Sequence, residues 1–363
     1  MVRASLPRVL IDLRMVHGRL HGIARYALEL ARALPPLLPP GWELSGLTAP
    51  QGLPGDLGEL APRIRLLRGT AGFLTLSEQP LLAADLLRAR ADLFHATSFS
   101  LPLLWPGRLV ATLHDANHLA MPEHYGPGRV AYYRLVVGPR ARFARALITV
   151  SEFSRGELAR HLRLRPERLQ VIPEGTDARF SRSDAAAVAR ARERLGLPLR
   201  YFVAVGNEKP HKNLRLLAGI SARLPAPVAL LAGEGAKARL GLDASAVELP
   251  SLPDEDLAAV LAGAMALLLP GTYEGFGLPA LEAMAAGCPV VAARAGSLPE
   301  VVGAAGVLLP PDQPEAWLEA ARRIASDAVE RGRLVELGRE RAARYRWEDC
   351  ARQTLAVYQR ALS

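Results

Sequence analysis

The chain has 363 residues, half of them hydrophobic, two cysteines and a formal charge of +9; this points to two domains with sizeable cores and excludes both a disordered chain and a disulfide-stapled one. All of the surplus charge lies in residues 1–182, where 24 arginines and no lysine face 15 acidic residues. Such a surplus favours anionic partners, a lipid surface or a phosphorylated acceptor, unless it only reflects the chain's preference for arginine, and no basic stretch carries the interleaved aromatics expected for nucleic acid.

Residues 1–15 hold too short an apolar run for a signal peptide. Residues 8–13 read as a strand, followed by the glycine-containing loop HGRLHG (17–22) and a helix over about 23–34. Residues 93–97 and 109–114 read as buried strands, 132–145 as a helix and 146–150 as another strand. Ser151 is placed to cap the next helix, with Glu152 and Glu157 near its positive end. Residues 170–173 form a strand running into a turn.

A second series starts with a polar helix over 185–195 and a strand over 201–205. The loop GNEKPHKN (206–213), a helix from 214, and a strand over 228–232 ending in Gly233-Glu234-Gly235 follow. Residues 257–270 form the longest apolar stretch. Gly263 interrupts it and Pro270 ends it, so it reads as a buried helix running into a strand over 266–269, not as a membrane span. A strand over 290–293 and amphipathic helices over 314–344 and 347–362 complete the chain. Strand–helix alternation of this kind implies parallel sheets covered on both faces. Two series imply two doubly wound domains, each with its ligand crevice at the carboxyl ends of the strands. The protein is expected to be cytoplasmic, with room for peripheral contact with the inner membrane surface.

The segment 274–287, EGFGLPALEAMAAG, carries the most chemistry. Pro279 suits a first helical turn, Leu281, Met284 and Ala285 supply a buried stripe, and Gly287 stops the helix. Glu274 then lies in the loop before the helix and Glu282 in its first turns. Gly275 and Gly277 let backbone N–H groups approach a ligand, and the helix start suits a diphosphate. The two acids beside an anion site make sense as acceptors for vicinal diols, which ribose and hexoses both offer. Diphosphate at the amides and diols at the carboxylates describe a sugar nucleotide. An ordinary surface turn explains neither the glycines nor the spacing of the acids.

The run E-G-F-G-L-P-x-L-E-A-M-A-x-G-x-P-V-V over 274–291 resembles the Glu-x7-Glu signature of retaining GT-B glycosyltransferases of the large family-four group. Further landmarks are similar: GIARY (22–26), LHD (113–115), TVSEFS (149–154), VIPEGTD (171–177) and PDEDL (253–257). The resemblance implies an α/β GT-B fold, two doubly wound Rossmann-like domains facing a central cleft. Residues 1–182 would bind the acceptor, 183–344 the nucleotide sugar, and the helix in 345–363 would cross back to the first domain.

It also implies roles. Glu282 would hold the donor ribose, and Glu274 the donor sugar, helped by the amides of Phe276, Gly277 and Leu278 beside Gly275. Lys212 would neutralise the diphosphate, in a loop that also supplies Gly206, Asn207 and Lys209. Many members have Arg where this chain has Asn207. Gly22 matches the glycine loop that approaches the donor phosphate, and His114 the histidine beside the donor sugar. Glu274, His114 and Lys212 are the expected catalytic set. Arg25, Tyr26 and His95 are acceptor candidates, with solvation or packing as the rival reading.

The family is similar to metal-independent enzymes, so no cofactor is expected beyond the nucleotide diphosphate sugar as co-substrate. His114 and Asp115 are adjacent on an expected strand and point to opposite faces, which argues against a metal pair. The implied activity is retaining transfer of a hexosyl group, of mannosyl type, to a saccharide or lipid-linked acceptor in envelope polysaccharide or glycolipid synthesis. Arg140, Arg142 and Arg145, with Phe143 between them, form either a membrane-facing basic patch or a solvated helix face. The alternative from another class is a non-catalytic sugar-nucleotide-binding protein, which Asn207 keeps open. A nicotinamide-dependent enzyme is disfavoured because the first strand is followed by HGRLHG and not G-x-G-x-x-G.

Overall fold

The computed structural model describes residues 6–16, 22–53, 60, 62–75 and 77–363. The chain divides into two units, Met1–Gly175 with Trp347–Ser363, and Thr176–Arg346. Among the described residues no helix is long and apolar enough to cross a membrane.

The first unit has strands β1 (Arg8–Asp12), β2 (Glu43–Thr48), β3 (Arg65–Arg68), β4 (Leu93–Ala96), β5 (Arg108–Thr112), β6 (Ala146–Thr149) and β7 (Leu169–Val171). They form one parallel sheet in the order β3-β2-β1-β4-β5-β6-β7. The order reverses between β1 and β4, the place where doubly wound sheets open a crevice. β4 and β6 are covered on both faces, as their apolar runs require. Phe94, Trp105, Leu109, Tyr133 and Leu147 meet in the core.

Beyond β1, Arg14 is fully buried and bonds Asp12 Oδ2 at 2.8 Å, Glu78 Oε1 at 2.9 Å and Ser100 Oγ at 2.9 Å. This ionic knot ties three separate segments together. The first five residues of HGRLHG lie outside the described residues, and the helix Gly22–Ala33 follows them. The expected helix over 132–145 begins earlier, as Pro127–Tyr132. It widens into one π-helical turn, Tyr133–Val137, and ends with Gly138–Arg142. The helix Trp347–Leu362 belongs to this unit and buries Trp347, Cys350, Val357 and Tyr358.

The second unit has strands β8 (Phe202–Val205), β9 (Val228–Leu231), β10 (Val247–Glu248), β11 (Leu267–Leu269), β12 (Val290–Ala293) and β13 (Val307–Leu309). Their order is β10-β9-β8-β11-β12-β13, all parallel, with the reversal between β8 and β11. The expected helix over 314–344 is two helices, Pro314–Ser326 and Ala328–Ala342. Asp327 breaks them by turning extended and accepting the Glu330 N–H at 2.9 Å, an N-cap that periodicity alone does not reveal.

Candidate functional site

In the second unit the loops that follow β8 and β11 meet at the reversal of strand order. The β8 loop contains Gly206, Asn207, Lys209 and the turn Pro210–Lys212. Gly206 N still bonds Leu231 O at 3.0 Å, which extends the sheet contact beyond β8. Asn207 is exposed, and its Oδ1 accepts the Lys209 N–H at 3.1 Å. The side chain at this position therefore orders the loop. Asn213 adopts a left-handed φ of +51° and donates from Nδ2 to Pro270 O at 3.2 Å and Pro311 O at 2.8 Å. Thr272 N donates to His211 O at 2.7 Å. These bonds stitch the two loops together.

Their joint product is an ion pair. Lys212 Nζ lies 2.7 Å from Glu274 Oε1 and 2.9 Å from Oε2. Glu274 is only 7% exposed. Its backbone is held from the far side by Ser297, whose N–H reaches Glu274 O at 3.1 Å. The Ser297 hydroxyl lies 2.9 Å from Glu274 O and 2.6 Å from Phe276 O, and its single proton is shared between the two carbonyls. Gly296 has a φ of +61°, and a Cβ there would sit 2.7 Å from Glu274 N and 2.9 Å from Glu274 O. Only glycine allows the two backbone segments to pack this closely.

The helix Leu278–Ala285 starts directly after this loop, with Gly277 as N-cap at a φ of +101° and Pro279 in its first turn. A Cβ on Gly277 would lie 2.8 Å from Leu298 Cδ2. Phe276 is buried and meets the Tyr345 ring edge-on at 5.8 Å. Glu282 is buried on the same helix. The structure thus brings Glu274, Lys212, Gly275, Phe276, Gly277, Leu278 and Glu282 into one loop-and-helix assembly. Gly206, Asn207 and Lys209 lie in the loop that carries Lys212.

The remaining candidates belong to the first unit. His114 lies past the end of β5 and not within it. Its Nε2 donates to Thr97 O at 3.0 Å, and its Nδ1 faces Glu174 Oε1 at 3.0 Å. A carbonyl only accepts, so the Nδ1–Glu174 contact needs a proton on one of its two partners. Asp115 Oδ1 accepts the Asn117 N–H at 2.9 Å. Gly22 is exposed at the first turn of its helix, and Arg25 is half-buried on it.

Tyr26 and His95 are enclosed in the first unit. Both are 0% exposed. Tyr26 Oη lies 2.9 Å from Thr112 Oγ1, which lies 2.8 Å from His95 Nε2. His95 Nδ1 lies 2.6 Å from Tyr358 Oη. The Tyr26 ring also stands edge-on to His114 at 4.8 Å. Burial, and next the neighbouring His114, push His95 down to about 3, so it is neutral. Tyr26 and His95 are thus both packed inside the first unit and joined through Thr112, the packing that was the rival reading for them. An apolar helix face and a strand end cannot reveal whether a polar tip points to solvent or inward.

Gly296 and Ser297 escaped the sequence reading, and Glu174 entered it only as part of the VIPEGTD landmark, with no role. Glu174 lies 60 residues from His114 in the chain. Ser297 precedes Leu-Pro-Glu and looks like a helix cap, yet its hydroxyl turns to the carbonyls of the Glu274 loop.

Comparison with known proteins adds three findings. The profile described as Glycosyltransferase Family 4 matches residues 20–180, and that of Glycosyl transferases group 1 matches residues 200–327. The chain is 30% identical over 281 residues to O-antigen chain mannosyltransferase B of Escherichia coli, covering 73% of this chain and 74% of that protein. Among solved structures, sucrose-phosphate synthase from Thermosynechococcus elongatus superposes with a TM-score of 0.79 at 24% identity, covering 98% of each chain. Anabaena HepE, in complex with UDP and glucose, gives 0.78 at 21% identity, covering 97% of this chain and 99% of that one.

Proposed function

The chain belongs to the group 1, family 4 glycosyltransferases and has the GT-B fold, and from that premise we propose that it moves a hexosyl group from a nucleoside diphosphate sugar to an acceptor hydroxyl with retention of configuration. The sugar is read as mannose, as the name of the Escherichia coli relative states for that protein. The acceptor is read as a saccharide or lipid-linked intermediate of envelope polysaccharide or glycolipid synthesis.

The observation that carries the reading is the Lys212–Glu274 pair at the switch point of the second sheet. It sets a cation for the diphosphate beside a carboxylate for sugar hydroxyls, next to a helix start. Bond cleavage would place negative charge on the leaving diphosphate. Lys212 and the N–H groups of Phe276, Gly277 and Leu278 are suited to stabilise that charge, and preorganised donors of this kind account for much of a rate enhancement. The transition state would be oxocarbenium-like. Glu274 would orient the sugar and Glu282 the ribose. With Lys212 supplying the positive charge, the reaction is read as independent of metal and cofactor.

His114 and Gly22 keep the roles that the resemblance assigns them, and Arg25 remains the acceptor candidate. A lipid-linked acceptor would bring the basic first unit to the cytoplasmic face of an anionic membrane. There Phe143, 81% exposed, stands between Arg142 and Arg145 in sequence.

The test is the release of nucleoside diphosphate from GDP-mannose, UDP-glucose and ADP-glucose. Glu274→Ala and Lys212→Ala should each slow turnover of the accepted donor by about 100-fold, the usual cost of losing one charge-stabilising group. Normal turnover in either variant refutes its assigned role.

A further inference from the structure

The two groups read as donor ligands neutralise each other when no donor is present. Lys212 Nζ spends two of its three N–H donors on Glu274, at 2.7 and 2.9 Å. Among the described residues, the Glu274 carboxylate has no other hydrogen-bond partner. Its side chain is 8% exposed and that of Lys212 is 21% exposed. A carboxylate this deeply set depends on its partner, because an unpaired buried charge is costly. The loop cannot readily swing away to hydrate it. Ser297 clamps the Glu274 carbonyl, and the backbone of Gly296 presses on Glu274.

We propose that the Lys212–Glu274 pair is a competitive latch that couples binding of the diphosphate to binding of the sugar and drives out the spent nucleotide. This rests on the donor reading above. A diphosphate can gain Lys212 only by taking it from Glu274. A whole nucleotide sugar compensates, because its sugar hydroxyls donate to the abandoned carboxylate. A nucleoside diphosphate alone lacks the hexose, and its ribose hydroxyls are read as held by Glu282. It strands Glu274 as a buried anion beside an anionic ligand, so its own hold is weakened. Once the sugar has left with the acceptor, Glu274 reclaims Lys212 and displaces the product. The same carboxylate that orients the sugar thus also lowers affinity for the product, so that sugar and diphosphate bind with positive coupling through one ion pair.

The experiment is isothermal titration of GDP, UDP and ADP into the whole chain and into Glu274→Gln, Glu274→Ala and Lys212→Ala. Removing the carboxylate should tighten binding of the accepted nucleotide by about tenfold, within the normal range of coupling between sites. Glu274→Ala guards against a glutamine that captures Lys212 anew, and must move affinity in the same direction. Lys212→Ala should weaken binding. If Lys212→Ala weakens it while both Glu274 variants leave it unchanged or weaker, the latch is overturned and the donor site stands. If no nucleotide binds the wild type, or Lys212→Ala binds it equally well, the donor reading fails and the latch with it.

Discussion

Gly296→Ala should damage the site without touching a ligand group. Gly296 holds a φ of +61°, where an alanine is disfavoured by about 1–2 kcal/mol. Its new Cβ would lie 2.7 Å from Glu274 N and 2.9 Å from Glu274 O, both backbone atoms that no side-chain rotation can move aside. Overpacking of this kind adds about 1–3 kcal/mol, so the total is about 2–5 kcal/mol. For a unit of this size that corresponds to a fall in melting temperature on the order of 5–15 °C. Relief requires the Glu274 loop to shift by several tenths of an ångström, which would stretch its contacts with Lys212 and Ser297. Misplacement near a reacting centre is expensive, and turnover should fall by about tenfold or more. Gly196→Ala is the control, since Gly196 has the same φ of +61° but a Cβ there would meet open space. Scanning calorimetry and nucleotide-release rates on both variants separate strain from collision. If Gly296→Ala melts and turns over like Gly196→Ala, the close approach does not constrain Glu274.

Two further outcomes follow from the first unit. His95 is held down to about 3 by burial, and an unfolded histidine titrates near 6.5. The unfolded state therefore binds the extra proton between these values, and the contribution of His95 is intact above about pH 6.5 and lost as pH falls, by about 1.4 kcal/mol per unit. His95→Gln should flatten the unfolding free energy over this window relative to wild type; identical pH slopes in denaturant titrations would count against a buried neutral ring. Arg14→Met should cost about 3–5 kcal/mol, because Asp12 and Glu78 are left as unpaired buried carboxylates. Adding Asp12→Asn and Glu78→Gln should recover part of that loss in the same titration, and a single variant as stable as wild type would refute the ionic knot.

Much of the site was legible because it is local. The glycines, Pro279 and the two glutamates of 274–287 lie within one loop and helix, so their spacing already implies a phosphate-facing helix start with carboxylates beside it. The buried strands β1, β4, β5, β6, β8, β9, β11 and β12 were legible for a similar reason: each is a short apolar run covered on both faces. Strands β2 and β3 were not. Each includes solvent-facing or half-buried positions, and β3 reads Arg-Leu-Leu-Arg at the sheet edge. The two-residue β10 is too short to leave a pattern.

The sequence by itself determined the class of fold, the two series of alternating elements and the loop-and-helix segment 274–287 that the donor reading rests on, because periodicity and turn chemistry are encoded over a few residues. Only the tertiary structure decided which groups pair with which. Lys212 meets Glu274 across 62 residues, His114 meets Glu174 across 60, and His95 meets Tyr358 across 263. Charge pairing and burial depend on distance in space, and parallel crossover connections bring together loops that the chain itself keeps far apart.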